Sequence, residues 1–131
     1  MILFEEGHDL PVVRVQATVR AGSGADPSGR DGVARMAGEM LRRGAGGRSR
    51  ADLDCALDAL GSDLGASVDA ESVTLVGHTL TRNVVPFLEI FEAVLLHPDF
   101  PDPEEVRRAA AATFVRERRT VVVAVPAPEA E

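Results

Sequence analysis

The stretch GVARMAGEML, residues 32–41, predicts an amphipathic helix that lies on a core. Its apolar residues recur at the spacing i, i+3, i+4, i+7 and i+8, which places them along one side of a helix. These residues are Val33, Met36, Ala37, Met40 and Leu41. We expect the helix to run from about Gly32 to Arg43, because the glycine-rich segment at residues 44–47 then breaks the pattern.

Strand and helix patterns flank this helix on both sides. An alternating strand at Leu10–Ala21 precedes it, and a second helix begins at the N-cap Ser49 and stops at Gly61. The next pattern predicts a hairpin that turns at Asp69–Glu71, with its second strand largely buried on both faces. The last patterns predict helices at Asn83–Leu96 and from Asp102 to about Arg116, and then a short strand at Thr120–Val125. This order predicts an α+β fold, in which helices pack on one face of a mainly antiparallel sheet.

The length of the chain predicts a single domain. All 131 residues fit one α+β unit with its own core. Within it we expect a main body at residues 10–116, a closing strand at residues 117–125 and a flexible acidic tail at residues 126–131.

Composition argues against nucleic-acid binding. The formal net charge is −7, and the chain has neither tryptophan nor tyrosine. It therefore lacks both the positive surface that binds phosphates and most of the rings on which bases stack. For the one basic cluster, the interleaved glycines favour a solvated loop over an anion site; its members are Arg42, Arg43, Arg48 and Arg50.

The N-terminus and the cysteine content bear on the compartment. Only the first four residues form an apolar start, and acids follow, so this is neither a secretory signal nor a membrane span. The lone Cys55 has no partner for an internal disulfide. We expect a cytoplasmic protein, with export together with a partner as the alternative.

Five segments, in this order, resemble the N-terminal lobe of the insulinase/pitrilysin family of zinc peptidases, from about Leu10 to Arg108. No single segment is specific, but their succession is. They are VRAGSGADP (19–27), GVARMAGEML (32–41), RGAGGRSRADLDCALDALG (43–61), LGASVDAESVTL (64–75) and FLEIFEAVLLHPDFPDPEEV (87–106). The resemblance implies a shortened insulinase-like lobe.

The zinc motif of that family, His-x-x-Glu-His, is lost here. Alignment on the leading glycine and the closing Met-Leu puts Arg35 and Glu39 at the histidine positions and Gly38 at the position of the catalytic glutamate. Arginine keeps its proton and repels a dication. If the register shifts by one, Met36 and Met40 flank the glutamate, but thioethers suit Cu(I) rather than zinc. Instead, Arg35 and Glu39 are spaced for an i,i+4 ion pair.

No other residues supply the missing ligands. His8, His78 and His97 are not at ligand spacing. The family's third zinc ligand lies in helices and strands that follow the helix after HPDFPDPEE, residues 97–105, and this middle part is missing here. The family resemblance alone would imply zinc. Because its ligands are absent here, we expect no catalytic residue, no bound metal and no other cofactor.

Three functions remain open from the sequence. The first is a non-catalytic homologue that acts as a peptide-binding or partner-docking subunit of a two-lobe peptidase assembly. Its partner is a protein or peptide, for example an active insulinase-like subunit or a second copy, and not nucleic acid or a membrane. The second is an active zinc endopeptidase of the same family, and the third is a truncated remnant without a function of its own.

A non-catalytic lobe can bind peptide by adding it as a strand to an exposed sheet edge. We place this edge at the strand formed by Val13, Arg14, Val15, Gln16, Ala17, Thr18 and Val19. The alternative is an ordinary edge strand that Arg14, Gln16 and Arg20 protect from pairing.

Overall fold

The computed structural model of the chain describes residues 2–6, 10–100 and 119–125. The helix predicted from Asp102 to about Arg116, the tail at residues 126–131 and His8 lie outside the described residues. The division into a body, a closing strand and a tail stays a prediction.

The described elements follow the predicted order. In chain order they are β1 (Ile2–Glu6), β2 (Val12–Val19), α1 (Val33–Met40), β3 (Gly44–Ala45), β4 (Arg48–Ser49), α2 (Arg50–Leu60), β5 (Asp63–Val68), β6 (Val73–Leu80), α3 (Val84–Leu96) and β7 (Arg119–Val125). The predicted hairpin is β5–β6, and the short strand predicted at Thr120–Val125 is β7. The strand β1 and the two-residue strands β3 and β4 were not predicted.

The main sheet has five strands in the order β1-β7-β2-β6-β5. β1 runs parallel to β7, whereas the other three neighbouring pairs are antiparallel. β3 and β4 form a separate small hairpin. Buried side chains of all three helices join those of β2, β5 and β6 in one core cluster, so the helices cover one face of the sheet. The predicted α+β class is confirmed.

The position predicted for residues 13–19 is wrong, because β2 is the central strand of the sheet. It pairs with β6 along one side and with β7 along the other. No edge is therefore left at these residues for an added strand. Arg14 and Gln16 lie on the open face of the sheet, where their polar groups stay in contact with water. They do not protect an edge, because β2 has none.

Burial along β6 also differs from the prediction. Val73, Leu75 and Thr79 are buried, while the residues between them on the opposite face are only half-buried. That face carries polar contacts between strands, such as Thr18 Oγ1 to Thr74 Oγ1 at 3.2 Å. The second strand of the hairpin is thus covered on one face only, and the apolar Val76 on the open face misled the prediction.

Helix α1 is rotated relative to the prediction, although Ala37 and Leu41 are buried as predicted and Met40 packs partly buried against the core. The buried positions are Ala34, Ala37, Gly38 and Leu41, which still follow helical spacing. Met36, predicted to face the core, is 53% exposed. Small residues let α1 approach the sheet closely, and this close approach sets the rotation of the helix.

Helix α2 begins at Ser49, as predicted, through two reciprocal hydrogen bonds. The Asp52 N–H donates to Ser49 Oγ at 3.3 Å, and the Ser49 N–H donates to Asp52 Oδ2 at 3.0 Å. The Ser49 hydroxyl donates to the same carboxylate at 2.7 Å. The hydroxyl and the N–H of Ser49 together lower the pKa of Asp52 below its ordinary value of 3.8.

The stability of the domain should therefore depend on pH through Asp52. A carboxylate whose pKa is lowered by folding stabilises the folded state above its unfolded pKa, and this contribution is lost as the pH falls towards the folded pKa. We expect Asp52→Asn to be less stable than the parent at neutral pH, with a difference that shrinks as the pH falls below about 4. Urea titrations at a series of pH values measure this difference.

The Ser49→Ala variant is the matched partner in this test. Because the two residues act through one set of hydrogen bonds, the loss in the double variant S49A/D52N should be smaller than the sum of the single losses. A pH-independent difference for Asp52→Asn, or strict additivity of the two substitutions, would contradict the prediction.

Candidate functional site

Helix α1 carries the three positions of the altered zinc motif, and an aspartate from the preceding turn caps its N-terminus. The N–H of Gly32 donates to Asp26 Oδ2 at 2.7 Å, and the N–H of Ala34 donates to Asp26 Oδ1 at 2.8 Å. A carboxylate at this end of a helix also interacts favourably with the helix dipole. Local capping patterns do not predict this cap, because Asp26 lies six residues before Gly32.

Gly38 lies in the contact between α1 and β5. The residue is buried, and a Cβ added to it would overlap Cγ2 of Val68 and lie 3.9 Å from Cγ1 of Val73. The position that holds the catalytic glutamate in the resembled motif therefore has no room for any side chain unless Val68 moves. Valine has one strongly preferred rotamer in most settings, so it moves aside only at a cost.

Arg35 and Glu39, at the two histidine positions of the motif, are exposed on the outer side of α1. They form no ion pair with each other within the described part of the chain, so the i,i+4 pair suggested by their spacing is not found. A guanidinium, a glycine and a single carboxylate do not make the donor set of a zinc site. The residues present do not fit zinc.

The histidines lie apart from these positions. His78 on β6 places Nδ1 3.2 Å from Oδ1 of Asp63, on the open face of the sheet. His97 follows α3, where its N–H donates to the Ala93 carbonyl. Across residues 2–6, 10–100 and 119–125, no group of three or more histidine, cysteine, aspartate or glutamate residues is placed to hold a metal ion.

Three of the four clustered arginines line a cavity of about 290 Å³ between α1 and β5. Its other lining residues come from α1 and from β5, so the cavity lies directly beside the motif positions. We call it the arginine cavity; it is lined by Gly38, Glu39, Arg42, Arg43, Arg50, Gly65 and Ala66. The sequence predicts only a solvated loop for these arginines, because nothing local in it shows that β5 lies next to their side chains.

Asp54 of α2 organises two of the three guanidinium groups. Nη2 of Arg42 lies 2.6 Å from Asp54 Oδ1, and Nε of Arg50 lies 3.4 Å from Asp54 Oδ2. Both arginines are partly exposed, with 41% and 59% of their side-chain surface accessible. One carboxylate is thus shared by two arginines at the edge of the arginine cavity.

The strand β5, at the end of the sheet, forms the other wall of the arginine cavity. It pairs with β6 along one side, and no described strand pairs with its other side. A mainly antiparallel sheet with helices on one face is the architecture that the resemblance to the insulinase family implies.

The comparison with protein families agrees with this architecture. The model of insulinase (peptidase family M16) matches residues 1–126, and the chain belongs to this family.

A solved structure shows the same fold. A crystal structure described as a peptidase M16 inactive domain from Pseudomonas fluorescens matches with a TM-score of 0.83 at 17% sequence identity. The match covers 94% of this chain and 43% of that chain, so this chain spans less than half the length of its structural neighbour. None of the curated proteins compared with the sequence matches it significantly.

One further structural finding concerns membranes. Within the described parts of the chain, no helix combines the length and the apolar character that a membrane crossing needs.

Proposed function

We propose that this chain is a non-catalytic insulinase-family lobe that binds an extended peptide, or an extended segment of a partner protein, along the edge of β5. The observation that carries the first half of the proposal is the packing at Gly38. A glutamate that activates water cannot stand where a Cβ already overlaps Val68. Neither Arg35 nor the lone Glu39 replaces the pair of histidines that the metal requires.

The second half of the proposal rests on the open side of β5. An edge strand presents unpaired N–H and C=O groups, which an extended peptide can pair with as an added strand. Gly65 in the middle of β5 has no side chain, and a Cβ there would meet no atom within 4 Å. The face of the strand is thus uncrowded at this point, next to the arginine cavity.

The structural neighbour supports the non-catalytic half. That protein is described as an inactive domain, and it shares the fold at a TM-score of 0.83. We infer that the present chain is likewise non-catalytic and forms one lobe of a two-lobe assembly, in which an active insulinase-like subunit or a second copy supplies the other lobe.

Metal analysis and hydrogen exchange on the purified chain test the two halves separately. We expect much less than one zinc per chain, no cleavage of a fluorogenic peptide, and no change in thermal stability on adding a chelator. We also expect that an excess of an alternating valine–threonine peptide slows exchange at the β5 amides that do not bond to β6, while the amides of the central strand β2 keep their rates.

Two results would overturn the proposal. One tightly held zinc per chain, with cleavage that a chelator abolishes, would establish the active-peptidase alternative. Unchanged exchange along β5 at saturating peptide would remove the edge-binding half, because strand addition cannot occur without protecting these amides.

A further inference from the structure

We propose that the arginine cavity is a carboxylate-binding subsite, so that the peptide bound along β5 carries an acidic side chain that enters it. This inference rests on the proposed binding along β5 and adds the chemical class of the peptide. The observations behind it are the charge of the cavity, the free donors of its arginines and the face of β5 on which it opens.

The charges around the cavity leave an excess of positive charge. Arg42, Arg43 and Arg50 contribute three positive charges, and Glu39 and Asp54 contribute two negative ones. The sum is +1, in a chain whose formal net charge is −7. A local excess of this sign favours an anionic group over a neutral or cationic one.

The arginines also keep hydrogen-bond donors for a ligand. Each guanidinium carries five N–H donors. Arg42 and Arg50 each use one nitrogen on the shared carboxylate of Asp54, so their other donors remain available. Within the described residues, no carboxylate contacts Arg43. Arg43 therefore offers a fork of donors that matches the two oxygens of a carboxylate.

The direction of side chains along β5 connects the peptide to the cavity. Leu64, Ala66 and Val68 lie on the face of the sheet that the helices cover, as their burial shows. In paired strands, residues directly opposite each other point to the same face, with Cβ atoms about 4.5–5.5 Å apart. A peptide residue opposite Ala66 thus points to the helix-covered face of the sheet, where Ala66 and α1 line the arginine cavity.

The size of the cavity suits one polar side chain with its water. Liquid water occupies about 30 Å³ per molecule, so a volume of about 290 Å³ holds a carboxylate and several waters. The partial exposure of Arg42 and Arg50 shows that the cavity is open to solvent. Binding of an acid here should accordingly weaken as the salt concentration rises.

Two peptides that differ only by a carboxylate in place of a carboxamide test the inference. The probes are capped, fluorescently labelled valine–threonine peptides with a central glutamate or a central glutamine, and binding is followed by anisotropy. We expect the glutamate probe to bind about tenfold more tightly, the factor that one charge-assisted hydrogen bond supplies. Raising the salt concentration should reduce this ratio.

Variants of the cavity locate the effect. Arg43→Gln should bring the ratio between the two probes close to one, and Arg43→Lys should retain part of it because the charge remains. Arg82→Gln is the matched control, since Arg82 is exposed beyond β6 and does not line the cavity. This control should keep the full ratio.

The outcomes separate the inference from the proposed function. Equal binding of both probes, with β5 still protected from exchange, overturns the acidic subsite and leaves edge binding in place. A preference for glutamate that survives Arg43→Gln overturns the assignment to Arg43, and one that also survives Arg42→Gln and Arg50→Gln overturns the assignment to this cavity. Failure of both probes to bind overturns edge binding and the subsite together.

Discussion

Replacing Gly38 by glutamate is expected to cost about 2–6 kcal/mol of the unfolding free energy rather than to restore a catalytic residue. The estimate adds about 1–3 kcal/mol for overpacking a close contact to a similar cost for burying a polar group without partners. Small domains have unfolding free energies of about 5–15 kcal/mol, so much of the total is lost. Chemical denaturation of the parent and the variant measures the difference.

Smaller substitutions identify Val68 as the cause. Glycine to alanine inside a helix ordinarily stabilises by about 1 kcal/mol, but at position 38 the overlap with Val68 opposes this gain. Gly38→Ala should thus be neutral or destabilising in the parent and stabilising in a Val68→Ala background. Gly65→Ala on β5 is the control, where alanine has free space and should gain up to about 1 kcal/mol. The same effect of Gly38→Ala in both backgrounds would show that the contact is not responsible.

Replacing Gly22 by alanine is expected to destabilise the domain by about 3–5 kcal/mol. Here the added Cβ would overlap the carbonyl oxygen of Asp69 and lie 2.5 Å from the carbonyl carbon and oxygen of Ala70. These are backbone atoms of the turn between β5 and β6, and they cannot rotate away. The estimate combines about 1–3 kcal/mol for overpacking with the loss of two backbone hydrogen bonds at about 1 kcal/mol each.

The two hydrogen bonds tie the loop after β2 to that turn. The Ser23 N–H donates to the Asp69 carbonyl at 2.9 Å, and the Gly24 N–H donates to the Ala70 carbonyl at 2.8 Å. Because the same loop carries Asp26, its displacement should also loosen the N-terminus of α1. Denaturation gives the energy, and faster hydrogen exchange at Gly32 and Ala34 reports the loosened helix. A loss below about 1 kcal/mol with unchanged exchange there would contradict the packing described.

Local patterns in the sequence predicted most of the elements. The cap at Ser49 depends on residues three positions apart, and the alternation along β2 depends on one covered face, so both are visible in a short window. The same alternation does not tell an edge strand from a central one. It reports which face is covered, while the number of paired neighbours depends on β7, which arrives from the far end of the chain.

The candidate site was predictable only in part. The substitutions at positions 35, 38 and 39 follow from the motif alone. The arginine cavity does not, because it forms only when β5 and α1 lie side by side. The rotation of α1 was missed for a related reason. Alanine and glycine contribute little to an apolar pattern, but their small size lets a helix lie close to a sheet. The buried face of α1 therefore contains Ala34 and Gly38 rather than Met36.

The contact between Gly38 and Val68 also bears on how such a lobe evolves. A His-x-x-Glu-His motif on α1 would need histidines at positions 35 and 39, a glutamate at position 38 and a smaller residue at position 68, and a zinc site would need a third ligand besides. A glutamate at position 38, introduced while Val68 is present, lowers stability before any chemistry is gained, so position 68 has to change first. The surface around Arg43 and β5 can therefore vary without disturbing the core, whereas the packing of Val68 against α1 opposes any side chain at position 38.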